Sequence, residues 1–279
     1  MKINNIGFVS IFLMLLFTGC EKIEAPYLIN KGPVEGGGGE TGKRVILLEE
    51  FTGHACVNCP EAALLVNDLK TLYGEQLLVI SVHAGFFAMP LGELTADYRT
   101  AAGTAINDYF GVSANPSGMV SRRPCGSALI LGKNQWQGAI EALLQEDAHA
   151  EIALESEYDE THGTTSITWN LRVFNPEDDD YYFSLVLIED DIVSPQKNSN
   201  PNVGETPIIH DYHHRHVLRG DINGIWGEQV DIAAGNQVTG THTYTLSGEW
   251  EPENCSIIGY LYRNSTKEIL HAAEVQVNE

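Results

Sequence analysis

Cys56-Val57-Asn58-Cys59-Pro60 is the stretch of this sequence most able to do chemistry. Two thiols three positions apart close a small disulfide, and thiol–disulfide exchange needs one of them as a thiolate. Pro60 sits where a helix begins, because its missing N–H costs nothing in a first turn. Free N–H groups and the positive end of the helix dipole lower a nearby thiol's pKa. This reading places Cys56 exposed at the helix end as the attacking sulfur. Cys59, one turn in, is the shielded resolving sulfur. His54, two residues before Cys56, either lowers that thiol's pKa or faces solvent in the turn. The same pair also suits half a zinc site or a static disulfide. A zinc site wants two further ligands at similar spacing, and the chain has no second Cys-x-x-Cys.

A second constellation is histidine-rich. His210, His213, His214 and His216 lie within seven positions. On a strand, His210, His214 and His216 share a face and form a candidate zinc or copper site. With only Glu205 and Asp211 nearby to complete it, a polar strand packed on its neighbour is the competing reading, and no cofactor is expected. Cys125 and Cys255 either pair or remain buried thiols, and the latter is expected. The acidic runs 177–180 and 189–191 lack calcium-loop spacing and read as solvated turns.

The elements that position the cysteines follow from apolar patterning. Val45 to Leu48 and Leu77 to Val82 are continuous apolar runs, the mark of strands buried on both faces. Between them Leu65, Leu69 and Leu72 recur at helical spacing until Gly74. A helix over 91–110 with Thr95 as cap, a strand at Ser117–Val120 and a helix at Asn134–Gln145 complete an α/β unit over 44–148. After His149 the pattern alternates: 151–158, 166–173, 183–187, 241–246, 256–263 and 272–277 read as short strands of an immunoglobulin-like β-sandwich over 149–279.

The chain has 279 residues and a formal net charge of -22, which repels phosphate and argues against a nucleic-acid partner. Lys2 followed by an apolar stretch to Phe17 reads as a secretory signal over 1–19, too short to span a bilayer comfortably. It ends Phe17-Thr18-Gly19-Cys20, which resembles a bacterial lipoprotein cleavage box, with Cys20 the lipidated residue and bilayer anchor. Residues 20–43, with four consecutive glycines, read as a flexible tether. The compartment then permits disulfides.

Glu50-Phe51 followed by Cys56 and Cys59 resembles the core of thioredoxin-like proteins. The resemblance implies a thioredoxin-like domain over 44–148. It also implies that Glu50 lies beneath the resolving thiol and exchanges its proton, and that Pro116 is a cis-proline presenting a backbone edge to a peptide substrate. Ala55 stands where thioredoxins carry Trp, and the segment from the second strand to Pro116 is longer than theirs. The anchor, the tether, the Glu49 to Pro60 run and Tyr212-x-His214-x-His216-Val217-Leu218-Arg219 together resemble the twenty-eight-kilodalton outer membrane protein family of Bacteroidetes-type bacteria. That resemblance implies an outer-membrane location. Two functions are expected: an extracytoplasmic oxidoreductase acting on protein thiols or a redox partner protein, or a non-catalytic binding or adhesion lipoprotein with a structural disulfide.

Overall fold

The computed structural model describes residues 42–232 and 237–278. The signal segment, Cys20 and nearly all of the tether lie outside the described residues. In chain order the elements are β1 (Ile46–Thr52), α1 (Cys59–Tyr73), β2 (Leu77–His83), α2 (Ala101–Phe110), β3 (Ser117–Val120) and α3 (Lys133–Leu144). Next come β4 (Ala150–Asp159), β5 (Thr164–Val173), β6 (Tyr181–Glu189), β7 (Ile192–Lys197), β8 (Ile208–His214) and β9 (Val217–Asp221). The chain closes with β10 (Glu228–Val230), β11 (Gln237–Thr245), β12 (Cys255–Arg263) and β13 (Ile269–Gln276).

A thioredoxin-like α/β domain followed by an immunoglobulin-like sandwich is not what these elements build. Strands from both halves join one mixed, mostly β architecture, in the sheet order β13-β12-β6-β9-β2-β1-β3 with β10 on β6. The seam is β2 with β9: Ser81 pairs with Val217 in parallel, and the Ser81 N–H donates to the His216 carbonyl at 2.7 Å. The reason lies in β6. Leu185-Val186-Leu187-Ile188 is buried throughout, as a strand covered on both faces must be, and not alternately as in a two-layer sandwich. Half-buried alternation belongs instead to β4, β5 and β11, which form a separate three-stranded sheet. The Ile269 N–H donates to the Ser121 carbonyl at 2.9 Å, so the two ends of the long sheet curl toward each other.

Side-chain parity sorts the core into three bodies. Leu47 and Phe51 of β1, Ile80 and Val82 of β2, and Ile258 and Tyr260 of β12 fill the inside of the curl, with Ala102 and Ile106 of α2. Ile46, Leu48, Leu77 and Val79 point the other way, onto Leu65 and Leu69 of α1 and Trp136 and Ile140 of α3. Phe183, Leu185 and Leu187 meet Ile167, Trp169 and Leu171 of β5. Successive residues of a strand face opposite sides, so neighbouring acids of β1 part company: Glu49 enters the curl and Glu50 faces the α1 side.

The helix expected over 91–110 begins only at Ala101. Thr100, not Thr95, is the cap: its Oγ1 accepts from the Gly103 N–H at 2.9 Å.

Candidate functional site: a strapped disulfide

Cys56 and Cys59 are joined as a disulfide. Each is only 2% exposed, so Cys56 is not the exposed sulfur that its sequence position suggested. Nor is Cys59 one turn into the helix: it is the first residue of α1, with Asn58 as cap and Pro60 next. The solvent-facing residues of the turn are Val57 and Asn58.

The cover comes from 140 residues away in sequence. Gln196 Nε2 donates to the Cys56 carbonyl at 2.9 Å and to the Gly53 carbonyl at 3.4 Å. The Lys197 N–H donates to the His54 carbonyl at 2.8 Å, and the Ser199 N–H donates to the Val57 carbonyl at 3.0 Å. Four carbonyls of the cysteine turn are thus held by the β7–β8 hairpin and its loop. The hairpin is fixed in turn by Tyr98, whose hydroxyl donates to Ser194 Oγ at 2.8 Å. Ser194 Oγ lies 3.0 Å from His214 Nε2.

Glu50 is buried on the strand that leads into the pair. Ser81 Oγ donates to its Oε2 at 3.3 Å, and its Oε1 has no protein partner. Burial without a countercharge pushes its carboxyl up to about 7, against a smaller opposing effect of Ser81. It lines a cavity of about 40 Å³ with Ser81, His83, Tyr212 and His214. Burial holds His83 and His214 below the usual imidazole range, with further lowering of His83 by His214. Both rings are therefore neutral at pH 7.

His54 does not face solvent. It is fully buried, and its Nε2–H donates to the Met89 carbonyl at 2.9 Å. The Asn115–Pro116 bond is cis. Ser117 pairs with Phe51, and Asn115 Nδ2 donates to the Thr52 carbonyl at 2.9 Å. Pro116 therefore borders the end of β1, where the cysteine turn starts.

The stretch from 103 to 279 matches the model of the outer membrane protein Omp28 family. The chain belongs to that family. Its place is the cell envelope, at the outer membrane. The matched stretch holds Pro116, the β7–β8 strap and the long sheet's later strands, and stops short of the cysteine turn, so family membership by itself assigns no chemistry to the pair. No curated protein sequence matches the chain. Among solved structures it is similar to HBP35 of Porphyromonas gingivalis, with TM-score 0.65 and 16% identity over 84% of this chain and 76% of that one. A protein from Agrobacterium tumefaciens gives TM-score 0.53 and 14% identity, covering 85% of this chain and 97% of that one. At such identities the likeness is one of fold. A domain of the outer membrane lipoprotein Omp28 from Porphyromonas gingivalis is 25% identical over 47% of this chain and 89% of that one, with TM-score 0.32.

Within this family member the histidine constellation is dispersed. β8 ends at His214, and His216 lies beyond it with φ 54°, so the three expected residues do not share a strand face. His210 Nδ1 is 3.8 Å from Glu93 Oε2, His213 Nδ1 is 2.6 Å from Asp191 Oδ1, and His216 Nδ1 is 3.2 Å from Asp190 Oδ1. No metal-holding cluster of His, Cys, Asp or Glu occurs among the described residues. Cys255 is buried and free, so it forms no staple with Cys125, but Cys125 is disulfide-bonded and not the free thiol expected.

Sequence reasoning missed two features. Arg122, with φ 51°, forks onto Glu49 inside the curl: Nε to Oε2 at 2.8 Å and Nη2 to Oε1 at 2.6 Å. Burial opposes its charge, but Glu49 more than offsets this and holds the guanidinium charged. The signal was present: two acids closing a buried apolar strand require a partner, and Ser121-Arg122-Arg123 follows the neighbouring strand. The strap had no local signal, because Gln196 and Ser199 carry meaning only through their distant acceptors.

Proposed function

We propose that the chain is a membrane-tethered, extracytoplasmic thiol–disulfide oxidoreductase acting on protein thiols. In this reading residues 1–19 are a cleaved signal, Cys20 bears the lipid, and residues up to 43 are the tether. The observation that carries the reading is Glu50. A static clip has no use for a buried carboxyl raised to about 7, with one oxygen unpartnered by protein, on the strand entering the disulfide. A proton donor and acceptor for thiol exchange has that use.

The chemistry is a reversible half-reaction. A client thiolate attacks Cys56 Sγ, the Cys56–Cys59 bond breaks, and Cys59 leaves as a thiolate that takes the Glu50 proton. A second client thiolate attacks the client sulfur of the mixed disulfide and releases Cys56 as a thiolate. Two electrons pass from the client dithiol to the pair, and one disulfide replaces another. In the reverse direction the Glu50 carboxylate takes the Cys59 proton, and Cys59 resolves the mixed disulfide. Pro116 offers its backbone edge to the client beside the turn. Access requires the β7–β8 strap to lift, because both cysteines are 2% exposed beneath it.

That same burial favours a second reading, a non-catalytic binding lipoprotein with a structural disulfide. Redox titration of the pair against glutathione separates the two. Exchange within minutes and a midpoint above roughly -300 mV support the oxidoreductase. No exchange and a lower midpoint support the clip.

A further inference from the structure

We infer that the loop between β2 and α2 is a docking surface for an apolar, cationic segment of a client polypeptide. The inference deepens the oxidoreductase reading and rests on it for the word client. Phe86-Phe87-Ala88-Met89-Pro90-Leu91 puts four large apolar side chains outward: Phe86 is 73% exposed, Phe87 38%, Met89 46% and Leu91 55%. Single exposed apolar residues are ordinary, whereas a contiguous group marks an interaction site.

The loop is held in this pose by its backbone. The Ala55 N–H donates to the Phe87 carbonyl at 2.9 Å, and His54 Nε2–H donates to the Met89 carbonyl at 2.9 Å. Leu91 and Leu94 exchange N–H to carbonyl bonds at 2.9 and 3.1 Å, and Ala88 and Leu94 are the buried anchors. Phe86 and Phe87 meet edge to face at 5.6 Å, forming a fixed wedge.

Two observations select the occupant. The loop's bonds go to His54 and Ala55, immediately before Cys56, and Gly53 lies so close that a Cβ there would sit 2.5 Å from the Phe87 carbonyl. The surface is therefore in fixed register with the disulfide. The loop itself carries no cation: residues 84–98 contain Glu93 and Asp97 and no Lys or Arg. Asp97 and Arg99 pair at 2.7 and 2.8 Å and offset each other, which leaves Glu93, with His210 Nδ1 3.8 Å away, as the carboxylate of the loop's border. Glu93 on a loop without Lys, in a chain of net charge -22, attracts Lys and Arg and repels an anionic bilayer.

The test uses the oxidised full chain and its Phe86→Ser/Leu91→Ser variant, whose substitutions fall on exposed side chains. The probe is a fluorescein-labelled nonapeptide without cysteine, with Leu and Phe at its centre and Lys at both ends. Binding weaker by about tenfold in the variant, and for a Glu-ended peptide on the parent chain, is the expected result. Equal binding by both chains overturns the proposal. So does a variant that keeps the peptide but loses binding to phosphatidylglycerol vesicles. Glutathione exchange is measured in parallel and is expected to be unchanged. If no thiol exchanges while peptide binding still depends on the loop, the oxidoreductase reading fails and the docking surface stands.

Discussion

Replacing Glu50 with Gln separates the burial of a carboxyl from the burial of a side chain. In the folded protein this group holds its proton up to about 7, against an ordinary value of 4.5. The interval, at roughly 1.4 kcal/mol per pH unit, amounts to about 3 kcal/mol of folding free energy. The sign follows from proton binding. Between the two values the folded chain binds more protons than the unfolded one. The contribution of Glu50 is therefore fully present below about 4.5 and is lost as pH rises through about 7. Glutamine does not titrate and is nearly the same size, and its carbonyl oxygen still accepts from Ser81. The stability of Glu50→Gln relative to the parent is thus expected to rise by about 3 kcal/mol from pH 4.5 to pH 8. His83, His214, His216 and His271, all lowered chiefly by burial, destabilise both proteins as pH falls below 6.5, so they cancel in the difference. Urea unfolding of the oxidised proteins across this range supplies the measurement. A difference independent of pH would show that Glu50 is ionised in the fold, and the account of its proton would be wrong.

Further outcomes are expected elsewhere. Glu49→Gln removes the countercharge of buried Arg122 and leaves the Tyr260 hydroxyl at 3.4 Å and the Phe110, Tyr260 and Tyr262 rings beside the guanidinium. It should cost about 3–5 kcal/mol in urea unfolding, and the Glu49→Gln/Arg122→Met double variant should cost less than the sum. Gln196→Ala removes two side-chain bonds to the cysteine turn. At about 1 kcal/mol each, reduction of the disulfide by dithiothreitol should speed up about thirtyfold; an unchanged rate would mean that the strap does not limit access. Gly53→Ala drives a methyl into the Phe87 carbonyl, so hydrogen exchange at the Ala55 amide should rise as that bond is lost.

What the sequence made legible is local. Continuous apolar runs marked β1 and β2, helical spacing marked α1, and Gly74 ended it at the expected place. The Cys-x-x-Cys turn and the carboxyl before it were readable for the same reason: their chemistry is written in spacing of a few residues. What was hidden is long-range. The alternating reading of 183–187 fails because Leu185-Val186-Leu187-Ile188 carries the same unbroken signature as Leu47-Leu48. Weighing it so would have placed β6 in the interior of a covered sheet. The pairing of Ser81 with Val217 and of Gln196 with Cys56 has no local trace, because neither contact changes the character of its own segment. For that reason the burial of Cys56, the feature that most alters the site, was not foreseen.

In the proposed function, Cys56 exchanges with protein thiols once the strap lifts. Trapping in cells with Cys59→Ala tests it most directly, because a mixed disulfide on Cys56 then has no resolving partner. Client proteins joined to the chain through Cys56, released by reductant and absent from a Cys56→Ala/Cys59→Ala control, are the expected result. A well-folded Cys59→Ala protein at the outer membrane with no partner on Cys56 would contradict it.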